Sequence, residues 1–207
     1  LEKRPDIKLV TPRLPCFTQQ AAQHLLDIVN QYKDDYTIGL VGSSLGGYMS
    51  MWLNAQFGFK AVVVNPAVKP YELLADYLGE QENPYTKERY VLEAEHIEEL
   101  ITLDTPKIAT PSDFWLLQQT EDEVLDYKQA VEYFCGAKQT VEQGGDHGHH
   151  RYVSITVEKS LFGQFPHRNG IFGRPTRLAT HIIRSAVSSS TPKAAAVPTR
   201  NQTAKSR

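Results

Sequence analysis

Apolar residues along this chain fall alternately into short continuous runs and into spacings of three and four. Ile7 to Thr11 is a short apolar run ended by Pro12 and Pro15, and Gln20 to Tyr32 sets Ala21, Leu25, Ile28, Val29 and Tyr32 on one helical face. That predicts a strand followed by a helix. Tyr36 to Val41 is a β-rich run that reaches the glycine punctuation of Gly42, Gly46 and Gly47, after which Met49, Trp52, Leu53 and Phe57 repeat at helical spacing. Ala61 to Val64 is wholly apolar and closed by Asn65 and Pro66, the pattern of a strand covered on both faces. Phe114 to Gln119 predicts a further strand, Asp126 to Phe134 a helix, and Lys138 to Glu142 a last strand running into Gly144 and Gly145. Repeated βα units in this order point to an α/β fold with a mostly parallel sheet flanked by helices. Between them, Lys69 to Leu103 carries acidic helical stretches broken at Gly79 and Pro84 and no convincing strand, so it reads as an inserted helical cap.

Composition narrows the class. The chain has 207 residues, 41% hydrophobic and 22% charged, which suits one globular domain and excludes collagen-like, coiled-coil and disulfide-scaffold proteins. No stretch approaches the roughly 18 apolar residues of a membrane span, and Leu1 to Asp6 carries charge where a secretory signal carries an apolar block. The expectation is a soluble, cytoplasmic protein. Cys16 and Cys135 lack metal-ligand spacing and are expected to be reduced and partly buried.

The formal net charge of −2 hides an asymmetry, because residues 1–147 hold 12 Lys+Arg against 23 Asp+Glu and residues 148–207 hold 10 against 1. The division predicts a domain over 1–147, with the cap at about 69–103, and a basic tail over 148–207 that is largely irregular or disordered. Within that tail, Arg177 to Val187 has the spacing of a short basic amphipathic helix. A basic tail also raises the question of nucleic acid, but such tails are commonly only solvated extensions, and nucleic acid is not the expected partner.

The candidate chemistry begins at Gly42-Ser43-Ser44-Leu45-Gly46, a G-x-S-x-G sequence between a predicted strand and a predicted helix. A serine there sits on a strained turn that exposes its hydroxyl, and the flanking glycines let backbone approach without a Cβ clash. Ser44 is therefore the candidate nucleophile, and the backbone N–H of Leu45 the candidate oxyanion donor. A serine hydroxyl needs a base and an oriented carboxylate, which in this class follow in the order acid, then histidine. Thr120-Glu121-Asp122-Glu123 follows a predicted strand directly; Asp122 is the choice for the acid, with Glu121 and Glu123 as fallbacks. His147 follows the last strand across Gly144-Gly145-Asp146 and is the choice for the base, with His149 and His150 as close rivals. The same cluster raises a metal site, but no second ligand group of fitting spacing accompanies it, so no metal is expected. His24 and His96 lie on predicted helices and read as packing or surface residues. No cofactor is called for. In the cap, Tyr71, Leu74, Tyr77, Leu78 and Tyr85 are candidates to line an acyl pocket.

Several longer blocks carry a resemblance. VGSSLGGY (41–48), VVVNPAVKPYELLADYLG (62–79), ENPYT (82–86), WLLQQTEDEVLDYKQAV (115–131) and QGGDH (143–147) are similar to the YqiA-like esterase family of α/β-hydrolases. The resemblance covers roughly residues 1–147. It implies an α/β-hydrolase fold, a small-molecule ester substrate, and Ser44, Asp122 and His147 as nucleophile, acid and base. Members of that family begin with a strand ending in a His-Gly-type oxyanion loop, whereas this chain starts at Leu1 past that point, so an N-terminally incomplete domain is expected. They also follow the histidine with an acidic, aromatic helix, which the basic sequence after His147 does not match. Two functional readings follow: a serine hydrolase of carboxylic esters, or a hydrolase-fold remnant that binds without catalysis.

Overall fold

A computed structural model of the chain describes residues 7–82, 87–147 and 177–184. In chain order the elements are β1 (Ile7–Val10), α1 (Thr18–Tyr32), β2 (Tyr36–Ser44), α2 (Leu45–Phe57), β3 (Lys60–Pro66), α3 (Pro70–Leu74), β4 (Gly79–Glu82), β5 (Arg89–Leu92), α4 (Ala94–Thr102), β6 (Phe114–Gln119), α5 (Tyr127–Tyr133), β7 (Lys138–Glu142) and β8 (Arg177–Arg184). Six strands form one parallel sheet in the order β1-β8-β2-β3-β6-β7. Parallel neighbours require crossovers, and α1, α2 and α5 supply them where the helical spacing predicted helices.

Alternation sorts the strand residues between the two faces of the sheet. Ile38, Leu40, Ala61, Val63, Phe114 and Leu116 join Leu25 and Val29 of α1, Tyr48, Met49, Met51 and Leu53 of α2, and Phe134 after α5 in the main core. Val41, Val62, Val64 and Leu117 form a smaller cluster on the opposite face, with Trp115 against it. Because β2, β3 and β6 are apolar on both faces, they occupy the middle of the sheet, and their carboxyl ends are set by a rigid scaffold.

Three expectations change. The cap is not wholly helical: β4 and β5 pair antiparallel between α3 and α4, Gly79 opposite Leu92 and Glu82 opposite Arg89. Each strand is four residues long with half-buried and exposed positions alternating, too brief a pattern to stand out in sequence. Second, Arg177–Arg184 is a strand and not a helix; it lies parallel to β1 on one side and β2 on the other. A slot between two parallel strands offers backbone partners along both edges of an inserted segment, which outweighs helical spacing. The remaining residues of the basic tail, with His149, His150 and His167, lie outside the described residues. Third, Cys16 is half-buried but Cys135, just beyond α5, is exposed.

Tyrosine hydroxyls fix the cap and the segment that leaves it. Tyr48 donates to the Leu100 carbonyl at 2.6 Å, Tyr71 to Asp104 at 3.3 Å, and Tyr133 to the Thr105 carbonyl. Burial raises the pKa of the Tyr48 and Tyr133 hydroxyls, with the Asp104 charge adding to the effect, so they act as neutral donors. His96 is a packing residue: its ring stacks on Phe17 at 4.4 Å, and its Nδ1 accepts from the Glu93 N–H in a reciprocal cap of α4.

Candidate active site

The site lies at the carboxyl ends of β2, β3, β6 and β7. Ser44 ends β2 and precedes α2 with φ 54° and ψ −122°, a conformation that costs a non-glycine residue energy and persists only when its surroundings impose it. The surroundings here are tight. A Cβ on Gly42 would overlap the carbonyl of Gly46 and lie 2.5 Å from the Ser50 hydroxyl oxygen, so the motif's first glycine is required by close approach. The register also slips by one residue between Ser43 and Ser44 against β3, and Ala67 donates its N–H to the Ser44 carbonyl at 3.1 Å.

Asp122 follows β6 in a short loop. Its Oδ1 accepts from the N–H groups of Val124 and Leu125, each at 2.9 Å, and its side chain has no solvent exposure. Burial pushes the Asp122 carboxyl pKa up, but the hydrogen bond from His147 and those from the Leu125 and Val124 backbone outweigh it and hold the group below its ordinary value of 3.8. It is therefore an ionised carboxylate facing the histidine. Glu121 and Glu123, the fallbacks, do other things: the Glu121 N–H reaches the Gly144 carbonyl at 3.3 Å, and the Glu123 carboxylate accepts from the backbone N–H of His147 at 3.0 Å.

His147 follows β7 across the glycine pair. Its Nδ1 lies 2.9 Å from Asp122 Oδ2, and its Nε2 lies 3.0 Å from Ser44 Oγ. The carboxylate favours the proton on Nδ1, which leaves the Nε2 lone pair directed at the hydroxyl. A serine, an imidazole and a buried carboxylate in this order can move a proton from the hydroxyl to the ring while the ring's new charge is compensated. Among the described residues no group of three or more His, Cys, Asp or Glu side chains is arranged to hold a metal ion.

Beside Ser44 lies a small hollow lined by Leu45, Ala67, Pro70, Leu73, Leu74, Val124 and Leu125. Of the cap residues considered for an acyl pocket, Leu74 lines it; Tyr71 turns instead to Asp104, Leu78 is 49% exposed, and Tyr85 lies outside the described residues. Sequence reasoning missed Asn65, which it used only to close a strand. Its buried side chain accepts from the Gln119 N–H at 2.8 Å and donates to the Asp146 carbonyl at 3.2 Å, and a polar residue at the carboxyl end of a central strand is the signal that marks it.

Residues 1–157 match the model of an uncharacterised protein family, UPF0227. The chain belongs to that family. This is the YqiA-like esterase group that the sequence blocks resemble. Among solved structures, this UPF0227 chain is similar to Est1E from Butyrivibrio proteoclasticus, with TM-score 0.52 and 15% identity over 69% of this chain and 67% of that one. It is similar to a structure from work on LipS and LipT, two metagenome-derived lipolytic enzymes, with TM-score 0.51 and 17% identity over 70% and 72% of the two chains. A candidate hydrolase from Agrobacterium vitis S4 aligns with TM-score 0.50 and 18% identity over 65% of this chain, which spans only 63% of that protein. At these identities the likeness concerns the fold, which is that of the α/β-hydrolases. Among the described residues, no helix is long and apolar enough to cross a membrane.

Proposed function

We propose that this protein is a serine hydrolase that cleaves carboxylic esters, and thioesters by the same machinery, through an acyl-enzyme on Ser44. The observation that carries the reading is the contact chain from Ser44 Oγ to His147 Nε2 at 3.0 Å and from His147 Nδ1 to Asp122 at 2.9 Å. In the first step Ser44 Oγ bonds to the substrate carbonyl carbon while His147 Nε2 takes its proton, and Asp122 stabilises the imidazolium. The Leu45 N–H meets the developing oxyanion at the start of α2. The tetrahedral adduct then collapses: the bond to the leaving alkoxide or thiolate breaks, and the Nε2 proton goes to that oxygen or sulfur. Water attacks the acyl-enzyme with His147 again as base, the carboxylic acid departs, and Ser44 recovers its proton. No cofactor enters these steps.

The hollow beside Ser44 supports an apolar acyl group, since Pro70, Leu73, Leu74, Val124 and Leu125 present hydrocarbon there. A cytoplasmic small-molecule ester is the substrate class that agrees with the family resemblance. The test is intact-mass analysis after treatment with a fluorophosphonate, followed by a panel of p-nitrophenyl esters. One adduct on the wild-type chain, absent in Ser44→Ala, together with ester turnover that falls on the order of 10⁴ to 10⁶-fold in the variant, is the expected result. Equal turnover by the variant, or a folded wild-type chain inert to both reagents, would reject the proposal in favour of a binding role.

A further inference from the structure

One buried asparagine touches the segments that carry both partners of the serine. Asn65 lies near the carboxyl end of β3 at φ 37°, in the left-handed region where asparagine is among the few side chains readily accommodated, and it has no solvent exposure. Its Oδ1 accepts from the Gln119 N–H at 2.8 Å, and Gln119 ends β6 three residues before Asp122. Its Nδ2 donates to the Asp146 carbonyl at 3.2 Å and approaches the Gln119 side-chain oxygen at 3.5 Å. Asp146 immediately precedes His147. Two residues beyond Asn65, Ala67 holds the Ser44 carbonyl. The end of β3 thus reaches all three loops of the site while contributing no atom to the proton path.

Other ties hold the histidine loop. Gly144 N–H donates to Thr120 Oγ1 at 3.0 Å, and His147 N–H to the exposed Glu123 carboxylate. A Cβ on Gly145, at φ 87°, would run into the Gln119 side chain, so this loop lies directly against the end of β6. The Asn65 link differs from these in its anchor, a side chain without solvent exposure whose bond from the Gln119 N–H is fully buried, where an unmade bond costs most.

We propose that Asn65 is a positioning residue. Its carboxamide holds the Asp146 carbonyl to the end of β6, and so sets the direction in which the chain enters His147 and where the imidazole stands between Asp122 and Ser44. An asparagine suits the task because one short side chain must both accept and donate at positive φ. The inference rests on the reading of Ser44, His147 and Asp122 as the reacting set, but its central claim concerns the histidine loop and can be measured separately.

Two variants divide the contacts. Asn65→Gly relaxes φ and removes the side-chain hydrogen bonds to Gln119 and Asp146; Asn65→Asp keeps the backbone preference and the acceptor for Gln119 N–H but, as a carboxylate, loses the donor to the Asp146 carbonyl and to the Gln119 side chain. In the full chain, the rate of fluorophosphonate labelling, kcat and KM for p-nitrophenyl esters, and amide hydrogen exchange over residues 143–147 are followed for both. The expected result is labelling and kcat lowered about 100-fold with KM nearly unchanged, and exchange quickened over 143–147 but not across β2, β3 and β6. Labelling at the wild-type rate would overturn the proposal. So would slow labelling with unchanged exchange over 143–147, or with quickened exchange throughout the sheet, since either outcome places the effect elsewhere. Should the wild-type chain prove inert to both reagents, the reading of the reacting set fails, and exchange over 143–147 in the two variants still decides whether Asn65 holds the loop.

Discussion

His147 Nε2 stands 3.0 Å from Ser44 Oγ although 103 residues separate them in the chain. The contact exists because β2, which Ser44 ends, and β7, which precedes His147, finish on the same edge of one parallel sheet with β3 and β6 between them. Each strand delivers its loop to that edge, and the left-handed turn at Ser44 lifts the hydroxyl toward the loops after β6 and β7.

Asp122→Asn tests the carboxylate. The amide oxygen of the substituted side chain can still accept from Val124 and Leu125, so the loop keeps its shape, but the new NH₂ group faces His147 Nδ1 and favours the tautomer with the proton on Nε2. The imidazole then donates to Ser44 instead of accepting from it. kcat for a p-nitrophenyl ester is expected to fall about 10⁴-fold with an unchanged circular dichroism spectrum. A decrease smaller than about tenfold would show that Asp122 does not orient the base.

The lowered carboxyl pKa of Asp122 has a consequence for acid stability. A group whose folded pKa lies below its ordinary 3.8 contributes stability that is fully present above that value and lost as pH falls through the lower folded value. Urea midpoints measured from about pH 6 down to about pH 2 should therefore drop more steeply below pH 3.8 in the wild type than in Asp122→Asn. Parallel curves for the two proteins would contradict the assignment of that slope to Asp122.

Gly42→Ala tests the elbow. The added methyl would meet the Gly46 carbonyl, which is backbone and cannot swing aside, so the turn must shift. A loss of about 1 to 3 kcal/mol in unfolding free energy is expected, with fluorophosphonate labelling suppressed. Wild-type stability and labelling would show that the turn has slack the close approach does not suggest.

β8 pairs with β2 from Tyr36–Arg177 to Ser43–Arg184, and in the strand order it separates β1 from β2. Ile182 pairs with Val41 inside the sheet, where proline is not accommodated. Ile182→Pro is expected to cost on the order of 2 kcal/mol or more, lowering the thermal midpoint by roughly 4 to 8 °C. It should also slow labelling of Ser44, which ends the strand β8 supports. A variant with an unchanged midpoint would mean that the sheet does not depend on this strand.

Local order was legible from residues alone. The βα alternation, the strands Phe114–Gln119 and Lys138–Glu142, and the serine between a strand and a helix all follow from side-chain periodicity and glycine placement, which act between near neighbours. Asp122, chosen from Glu121-Asp122-Glu123 and also implied by the family resemblance, is the carboxylate that meets His147, but periodicity alone could not set its neighbours aside, because three acidic side chains in one loop differ only in the direction the folded loop gives them. The cap hairpin was hidden for a related reason: four-residue strands carry too little pattern to compete with the helical stretches around them.

The placement of β8 and the reach of Asn65 belong wholly to the tertiary structure. Backbone hydrogen bonds are indifferent to side-chain identity, so the sequence of residues 177–184 says that a segment can pair but not that it enters between β1 and β2. An Asn-Pro closing a strand reads as a stop signal until β6 and the loop after β7 arrive beside it. Periodicity and chain order, being local, determined the elements and the order of the reacting residues. Distances between strand ends more than fifty residues apart arise only when the sheet closes, and it is those distances that turn a serine, a carboxylate and a histidine into one site.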